Sequence, residues 1–387
     1  MSAAPFGVLL ELSVDESSRW VRAMLIPELS IRSVWERRGL GGKAFSLALL
    51  PLSKLYTAAV QSRNFLYNHG VLRSVRLPRP VVSIGNLTVG GTGKTPTCLW
   101  LAQQLARRGF KTAILSRGYR RQEKRPVILL PNRENPANWN AEENSRQAGD
   151  EPLMMAGIYR QMVGVCANRA AAAAELLRRE DIDVFLLDDG FQHRRIKRDV
   201  DLLLLGDDVT GRVLPAGPFR EPRRNLRRAD FLLTTGAMGA WAPVIAKQSA
   251  AAFDASLQPV CLVGFSSQGI REFPLTLLYR SKILTVSGIA DPRGLYRLIH
   301  EWDGDIVETL EFPDHYAYGA QDWQQISRMA RLVDLIITTE KDILKLTRFP
   351  FAKDKLLALR VTLEVMNGEA LVDAIVNKIV AARQPER

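Results

Sequence analysis

The stretch from Val81 to Pro96, VVSIGNLTVGGTGKTP, constrains the fold more than any other part of the chain. Val81, Val82 and Ile84 make a short β-branched run that favours a strand, and Gly85 and Asn86 end it as turn formers. Gly90, Gly91 and Gly93 follow, then Lys94 and Thr95, and from Cys98 the run CLWLAQQLARR suits a helix. Strand, glycine loop, Lys-Thr and helix is the layout of a phosphate-binding P-loop. Glycines let backbone N–H groups turn inward around phosphate oxygens, and a helix N-terminus adds partial positive charge. The expected nucleotide cradle is Thr88, Val89, Gly90, Gly91, Thr92, Gly93, Lys94 and Thr95. Lys94 would reach the β- and γ-phosphates and the Thr95 hydroxyl would sit on Mg2+. Thr88 stands where the usual pattern has its first glycine.

A chain of 387 residues, 47% hydrophobic, is long enough for two domains with cores of their own. Its net charge of +12 favours anionic partners such as nucleotides, phospholipid surfaces or acidic substrates. Cys98, Cys166 and Cys261 are scattered without metal-ligand spacing, which argues against a disulfide framework and for a reducing compartment. Four histidines (His69, His193, His300 and His315) are too few and too far apart for a His-rich metal site. No secretory signal is expected, because Glu11, Asp15 and Glu16 stand where a basic leader would be.

Residues 1–34 show no strong pattern and are expected to be a disordered extension. The stretch from Lys43 to Tyr67 is apolar but is broken by Lys43, Lys54 and Arg63, with Pro51 in its middle. Its uncharged runs fall well short of the ~20 residues of a spanning helix. It reads either as a packed core helix or as an amphipathic helix lying in a membrane interface. Arg73, Arg76 and Arg79 just beyond it favour a surface that meets anionic headgroups.

The order of elements beyond the P-loop is that of an α/β fold. KTAILSRGY reads as a second strand, the segment from Glu123 to Gln147 as a loop, Gly149-Asp150-Glu151-Pro152 as a helix start, and Asn168 to Arg179 as a helix. VFLLDDG, Val184 to Gly190, runs a buried-looking strand into Asp188 and Asp189, the pattern of a Walker B strand whose carboxylates hold Mg2+. Adjacent carboxylates repel unless a cation is present. VDLLLLG and ADFLLTTG are further strands, separated by the basic loop LPAGPFREPRRNLRR. From about Gln258 the chain turns extended, as a hairpin-like linker. A second set of strands and helices follows through VDLIITTEKD. The expectation is therefore two doubly wound α/β/α domains, the first P-loop NTPase-like and the second smaller.

These motifs point to nucleotide hydrolysis or phosphoryl transfer. The strand end at Thr338-Thr339-Glu340-Lys341-Asp342 lacks the Asn-Lys-x-Asp signature of guanine readers, so ATP is expected. Transfer needs a carboxylate to orient and deprotonate an acceptor hydroxyl, and Asp150 is the candidate.

At this point GNLTVGGTGKTP, LSRGY, GDEP, LDDGFQHR, LPAGPFREP, GIADP, FPDHY and TTEKD, in that order from about Trp35 onward, resemble the tetraacyldisaccharide 4'-kinases of lipid A biosynthesis. The resemblance implies ATP- and Mg2+-dependent phosphorylation of the 4'-hydroxyl of a tetraacylated glucosamine disaccharide 1-phosphate. It also implies a peripheral enzyme at the cytoplasmic face of a bacterial inner membrane, on an anionic surface. Carried over by motif, Asp150 is similar to the family's catalytic base and His315 to its partner. Lys94 and Thr95 are similar to its phosphate and Mg2+ ligands, and Asp188 and Asp189 to its metal-holding pair. Val89 stands where the wider P-loop class whose loops carry a second lysine before the glycines has that residue. The expected division is 1–34 extension, 35–80 membrane-associating region, 81–257 kinase domain, 258–280 linker and 281–387 smaller domain. No nucleic acid and no obligate protein partner are expected. The competing reading is a membrane-bound P-loop ATPase switch without a phosphoryl acceptor.

Overall fold

The computed structural model describes Trp35 and residues 39–119, 121–131, 141–236, 238–266, 269–289, 291–349 and 355–383. The expected extension over 1–34 lies outside the described residues. In chain order the strands are β1 Val81–Asn86, β2 Thr112–Ser116, β3 Val127–Leu129, β4 Met162–Val165, β5 Val184–Asp188, β6 Val200–Leu205 and β7 Phe231–Thr234. They continue with β8 Ala251–Ser266, β9 Gly269–Phe273, β10 Lys282–Ser287, β11 Asp305–Glu311, β12 Leu335–Thr339 and β13 Leu356–Val365. The helices are α1 Gly39–Ala48, α2 Leu50–Asn68, α3 Lys94–Arg107, α4 Ala141–Ala148, α5 Asp150–Gly157 and α6 Arg169–Arg179. After them come α7 Met238–Ile245, α8 Arg293–His300, α9 Ala320–Met329, α10 Glu340–Leu346 and α11 Gly368–Arg383.

β1, β2, β5 and β6 are buried at every position, which is why their sequences read as unbroken hydrophobic runs. They lie in one continuous sheet of order β11-β10-β12-β13-β8-β7-β6-β1-β5-β2-β4-β3, with β9 paired to β8. β1 pairs in parallel with β5 on one side and β6 on the other, so the connections diverge at β1. In open α/β sheets the crevice beyond the strand ends at such a switch point is where ligands bind. The register sets Ile84 opposite Asp188, which brings the end of the acidic strand level with the start of the glycine loop.

The long strand β8 joins the two groups of strands. Its first part pairs in parallel with β7, and its later part pairs antiparallel with β13 and, through the 258–280 segment, with β9. That segment is a hairpin, as its turn formers suggest. One apolar cluster also spans both groups: Val82, Ile84, Leu101 and Leu105 belong to it together with Leu284, Ile336, Leu346 and Ile375. Burying each such side chain stabilises by roughly 1.5–3 kcal/mol, so the halves share a core rather than meeting across a wet seam.

The structure departs from the sequence reading at particular elements. β1 continues through Gly85 and Asn86 instead of ending there, because both pair with β6, Gly85 opposite Leu203 and Asn86 opposite Leu204; a Cβ on Gly85 would lie 2.7 Å from the Phe191 backbone nitrogen. Only glycine lets the loop after β5 pass this close. Helix α3 begins at Lys94, four residues earlier than expected; Pro96 is tolerated because a first-turn residue needs no N–H. Cys98, Leu101, Ala102 and Leu105 then share its buried face. Within the expected loop from Glu123 to Gln147 the structure has β3 and α4. The Lys43–Tyr67 stretch is two helices, α1 and α2, with Pro51 in the first turn of the second. Among the described residues no helix is long and apolar enough to cross a membrane.

Candidate active site

The glycine loop between β1 and α3 is held from several sides. Asn86 Nδ2 donates to Thr92 Oγ1 at 2.8 Å, and Thr235 Oγ1 donates to the Thr92 carbonyl at 3.1 Å. Val89 N donates to the Pro218 carbonyl at 2.8 Å, which ties the loop to the LPAGPFREP segment; Thr88, in the first-glycine place, is buried there. Gly93 has φ +79, a conformation that favours glycine, and it precedes the helix directly. The helix N-terminus therefore faces the loop's hollow, the arrangement that binds phosphate.

Lys94 Nζ lies 3.4 Å from the Gly90 carbonyl and 3.8 Å from Asp189 Oδ1, so the lysine bridges loop and acidic pair. Asp188 and Asp189 are held unequally. Asp189 has φ +49, and Arg220 Nη1 donates to its two oxygens at 3.0 and 2.8 Å. Burial pushes the Asp189 carboxyl up, but the Lys94 and Arg220 cations outweigh this and hold it below the usual range. Asp188 is buried, and its Oδ1 has no hydrogen-bond partner among the described residues. Burial, then the Glu151 and Asp189 charges, raise its carboxyl to about 7 against the pull of Lys94 and Arg169.

An unpartnered carboxylate oxygen beside a second carboxylate suits a hard cation with oxygen ligands. Among the described residues no group of three or more His, Cys, Asp or Glu could hold a metal alone. Mg2+ keeps several waters and takes substrate phosphate oxygens as ligands, so one or two carboxylates suffice to hold it.

Asp150 is the first residue of α5, buried at the floor of the same cavity of about 500 Å3 that Asp188, Asp189, Glu151 and Arg220 line. His315, 165 residues away, reaches it from the second group of strands: its Nδ1 lies 3.2 Å from Asp150 Oδ2. The His315 ring also rests near Tyr119 of the SRGY turn, with centroids 5.1 Å apart. Of the sequence-predicted site residues, Val89, Asp150, Asp188, Asp189 and His315 line this one cavity, and Lys94 adjoins it through Asp189, whereas Thr95 and the loop glycines are not among its lining residues. The two halves are already in contact here, with no closure needed to join Asp150 and His315.

Four participants escaped sequence reading. Lys345 Nζ lies 3.2 Å from the same Asp150 Oδ2, 3.2 Å from Asp342 Oδ1 and 3.0 Å from the Tyr316 carbonyl. Arg220 clamps Asp189, and Arg169 sits 3.3 Å from His193 Nδ1, its own charge disfavoured by burial to a pKa of about 10. Glu221, fully buried, accepts from Asn64 at 3.0 Å, Asn225 at 2.6 Å and Arg228 at 2.8 Å, fastening α2 to the core. The available signal was an acid or base inside a motif run: Arg220 and Glu221 both fall in LPAGPFREP, whereas Lys345 lies three residues past TTEKD.

Comparisons with known proteins point to one family. The family described as tetraacyldisaccharide-1-P 4'-kinase matches residues 45–380. A tetraacyldisaccharide 4'-kinase of Syntrophus aciditrophicus is 36% identical over 341 residues, covering 81% of this chain and 88% of the relative. One of Geobacter metallireducens is 37% identical over 313 residues, covering 78% and 88%. A crystal structure of LpxK from Aquifex aeolicus, an "apo" form in complex with ATP, superposes with a TM-score of 0.69 at 31% identity. It covers 87% of this chain and 99% of that one.

Proposed function

The chain belongs to the tetraacyldisaccharide 4'-kinase family, and we propose that its chemistry runs through Asp150 and His315 at the mouth of the P-loop. It is an ATP-dependent kinase that phosphorylates the 4'-hydroxyl of a tetraacyl glucosamine disaccharide 1-phosphate in lipid A biosynthesis. The observation that carries the site assignment is the contact of His315 Nδ1 with Asp150 Oδ2, 3.2 Å, inside the cavity that also holds Asp188 and Asp189.

In this reading residues Thr88 to Thr95 hold the triphosphate by backbone N–H groups, with Lys94 on the β- and γ-phosphates. Thr95, Asp188 and Asp189 hold Mg2+, which when bound draws charge from the transferring phosphoryl group. Asp150 orients the acceptor hydroxyl and takes its proton as the new oxygen–phosphorus bond forms and the bond from the γ-phosphorus to the β,γ-bridging oxygen breaks, releasing ADP; His315 takes up that proton or relays it onward. Lys345, 3.2 Å from Asp150 Oδ2, holds that carboxylate in place beside His315. The same reading divides the chain at 81–257, 258–280 and 281–387, the last part presenting His315 and Lys345 to the first.

The region 35–80 is proposed as the membrane contact. Helix α2 is amphipathic in an inverted sense. It buries Ser53 and Asn64 alongside Val60, with Ser53 Oγ donating to the Val213 carbonyl at 2.7 Å, while Leu52, Leu55 and Phe65 are exposed. An apolar face turned outward, continued by Phe45 and Leu47 of α1, suits a lipid interface better than water. Of the three arginines beyond it, Arg76 pairs with Asp199 and Arg79 with Asp181. The proposal is peripheral attachment at the cytoplasmic face of the bacterial inner membrane.

The test is transfer of radiolabelled γ-phosphoryl to the disaccharide acceptor against ATP turnover with water alone. Acceptor-dependent turnover with label at the 4'-position is expected. ATP consumption equal with and without acceptor would return the chain to the switch reading.

A further inference from the structure

Helices α5 and α10 belong to different groups of strands and pack against each other. They meet at both ends. Asp150, the first residue of α5, contacts Lys345 near the end of α10. Tyr159, two residues past α5, donates from its hydroxyl to Glu340 Oε2 at the start of α10. The helices therefore run in opposite directions. One polar pair sits in the catalytic cavity and the other at the far end of an eight-residue helix, about 12 Å along its axis.

The remote pair is part of a larger cluster. Arg360 of β13 donates from Nε to Glu340 Oε1 at 2.8 Å and from Nη1 to Glu272 of β9. Its guanidinium lies over the Tyr159 ring, 5.5 Å from the centroid. Glu340 is buried with both carboxylate oxygens occupied. Burial pushes its carboxyl above the usual range against the pull of the Tyr159 and Arg360 hydrogen bonds. Around the two helices the contacts are apolar: Leu153, Met155, Ile158, Ile343 and Leu346 belong to the cluster that spans both groups. Apolar burial is non-directional and would let one helix slide on the other. A slip would leave Glu340 buried without partners, which is strongly unfavourable. Helix α10 also carries the side chains that aim the site. Lys341 holds Asp314 and Lys345 holds the Tyr316 carbonyl, the residues on either side of His315.

We propose that Tyr159, Glu340 and Arg360 are positioning residues for the reaction: they pin α10 against α5 at the end remote from the cavity and so fix where Lys345 and His315 meet Asp150. This deepens the kinase reading and rests on its assignment of Asp150 as the base. None of the three lines the catalytic cavity, so they reach the acceptor hydroxyl only through the helix pair. Such a pin acts on kcat and not on the KM for ATP, because the glycine loop is held separately by Asn86, Thr235 and the Pro218 carbonyl.

The test uses the full-length protein with Tyr159→Phe, which keeps the ring beside Arg360, and Glu340→Gln, which keeps the side-chain shape. Tyr296→Phe is the matched control: it removes a tyrosine hydroxyl that donates to Glu311 at 2.9 Å, elsewhere in the same group of strands. Tyr159→Phe and Glu340→Gln are each expected to lower kcat roughly ten- to a hundredfold with the KM for ATP unchanged, since small misplacements of reacting groups are costly in rate. A second readout uses protein made with isotope-labelled histidine, whose four histidines are few enough to resolve. The His315 imidazole nitrogen resonances, identified by their absence from His315→Asn, should shift in both variants and stay in place in Tyr296→Phe. Added to Asp150→Asn, Tyr159→Phe should cost almost nothing more. Unchanged imidazole resonances, native kcat in either variant, or a loss fully additive to that of Asp150→Asn overturns the proposal, as does an equal loss in Tyr296→Phe. Native kcat in Asp150→Asn alone would instead refute the base assignment, and the imidazole resonances still decide whether the pin sets the contact.

Discussion

Replacing His315 separates its two conceivable roles, holding Asp150 and moving its proton. His315 has φ +59, a left-handed conformation that asparagine tolerates better than most residues, so His315→Asn disturbs the backbone least. Asparagine can still donate a hydrogen bond to Asp150 Oδ2, 3.2 Å away in the native pair, but it cannot accept and pass on a proton. One hydrogen bond to an ionised group contributes about 1.5–3 kcal/mol, which in rate is roughly ten- to 150-fold. Proton transfer by a positioned side chain contributes about 10²–10⁴-fold. Both His315→Ala and His315→Asn are therefore expected to lower kcat by roughly 10³-fold with little change in the KM for ATP, since neither touches the P-loop. Phosphoryl transfer to the acceptor is followed over a pH series. Adding Asp150→Asn to His315→Ala should cost little more than Asp150→Asn alone, because residues acting as a unit are not additive. In a third arm, Lys345→Met removes the ammonium shared by Asp150 and Asp342, and Asp342→Asn is added so that Asp150 alone loses a counter-charge. Losing the ammonium 3.2 Å from Asp150 Oδ2 loosens the hold on that carboxylate, so kcat should fall while the KM for ATP stays near native. Near-native kcat in His315→Asn would refute the proton-carrying role, and fully additive losses would dissolve the pair.

Three further outcomes are expected. The Asp188→Ala/Asp189→Ala variant should stay folded yet lose at least ~10²-fold in turnover, checked by Mg2+-dependent kinetics; near-normal kcat would remove the metal assignment. His193, depressed to about 3 when folded against 6.5, stays neutral in the fold while the unfolded chain takes up a proton. It should therefore cost stability as pH falls from 6.5 toward 3, on the order of 1 kcal/mol by pH 5 after screening. Melting of His193→Gln should fall less steeply with acid than the native chain, and identical slopes would refute this. Serine at Leu47, Leu52, Leu55 and Phe65 should release the protein from anionic vesicles and lower activity on bilayer acceptor more than ATP hydrolysis; undiminished co-sedimentation would sink the docking face.

What the sequence revealed and concealed follows from the range of the interactions involved. β1, the glycine loop and the acidic strand end were legible because each rests on local chemistry: β-branched runs, glycines at φ-demanding turns, carboxylates at a strand terminus. β13 and α11 went unread although Leu371, Ile375 and Ile379 recur at the helical spacing of four, because no chemical motif drew notice to them. The start of α3 was misplaced because Lys94-Thr95-Pro96 has poor helical propensity as a triplet. Its phosphate-binding use depends on those residues forming the first turn. Lys345 was beyond reach, being one of 53 basic residues whose position against Asp150 is set by the packing of α10, 195 positions away in sequence.

That packing also accounts for three motif runs that carry no evident chemistry of their own. Asp342 of TTEKD accepts from the Gly288 N–H of the GIADP loop at 2.9 Å and from Thr339 Oγ1 at 2.8 Å. Lys341 of the same run reaches Asp314 of FPDHY at 2.7 Å, and the His315 N–H meets the Gly288 carbonyl at 3.3 Å. GIADP, FPDHY and TTEKD therefore interlock through their loops, and the product of the interlock is the orientation of one imidazole and one ammonium group toward Asp150. A buried carboxylate 8% exposed would tend toward its neutral form if left alone. Lys345 supplies a counter-charge from a helix whose own start is fixed by Thr339, whose side chain accepts from the Asp342 N–H. The second group of strands thus contributes to the cavity by aiming His315 and Lys345 at Asp150. Its loops, more than its sheet, are what the site requires of it.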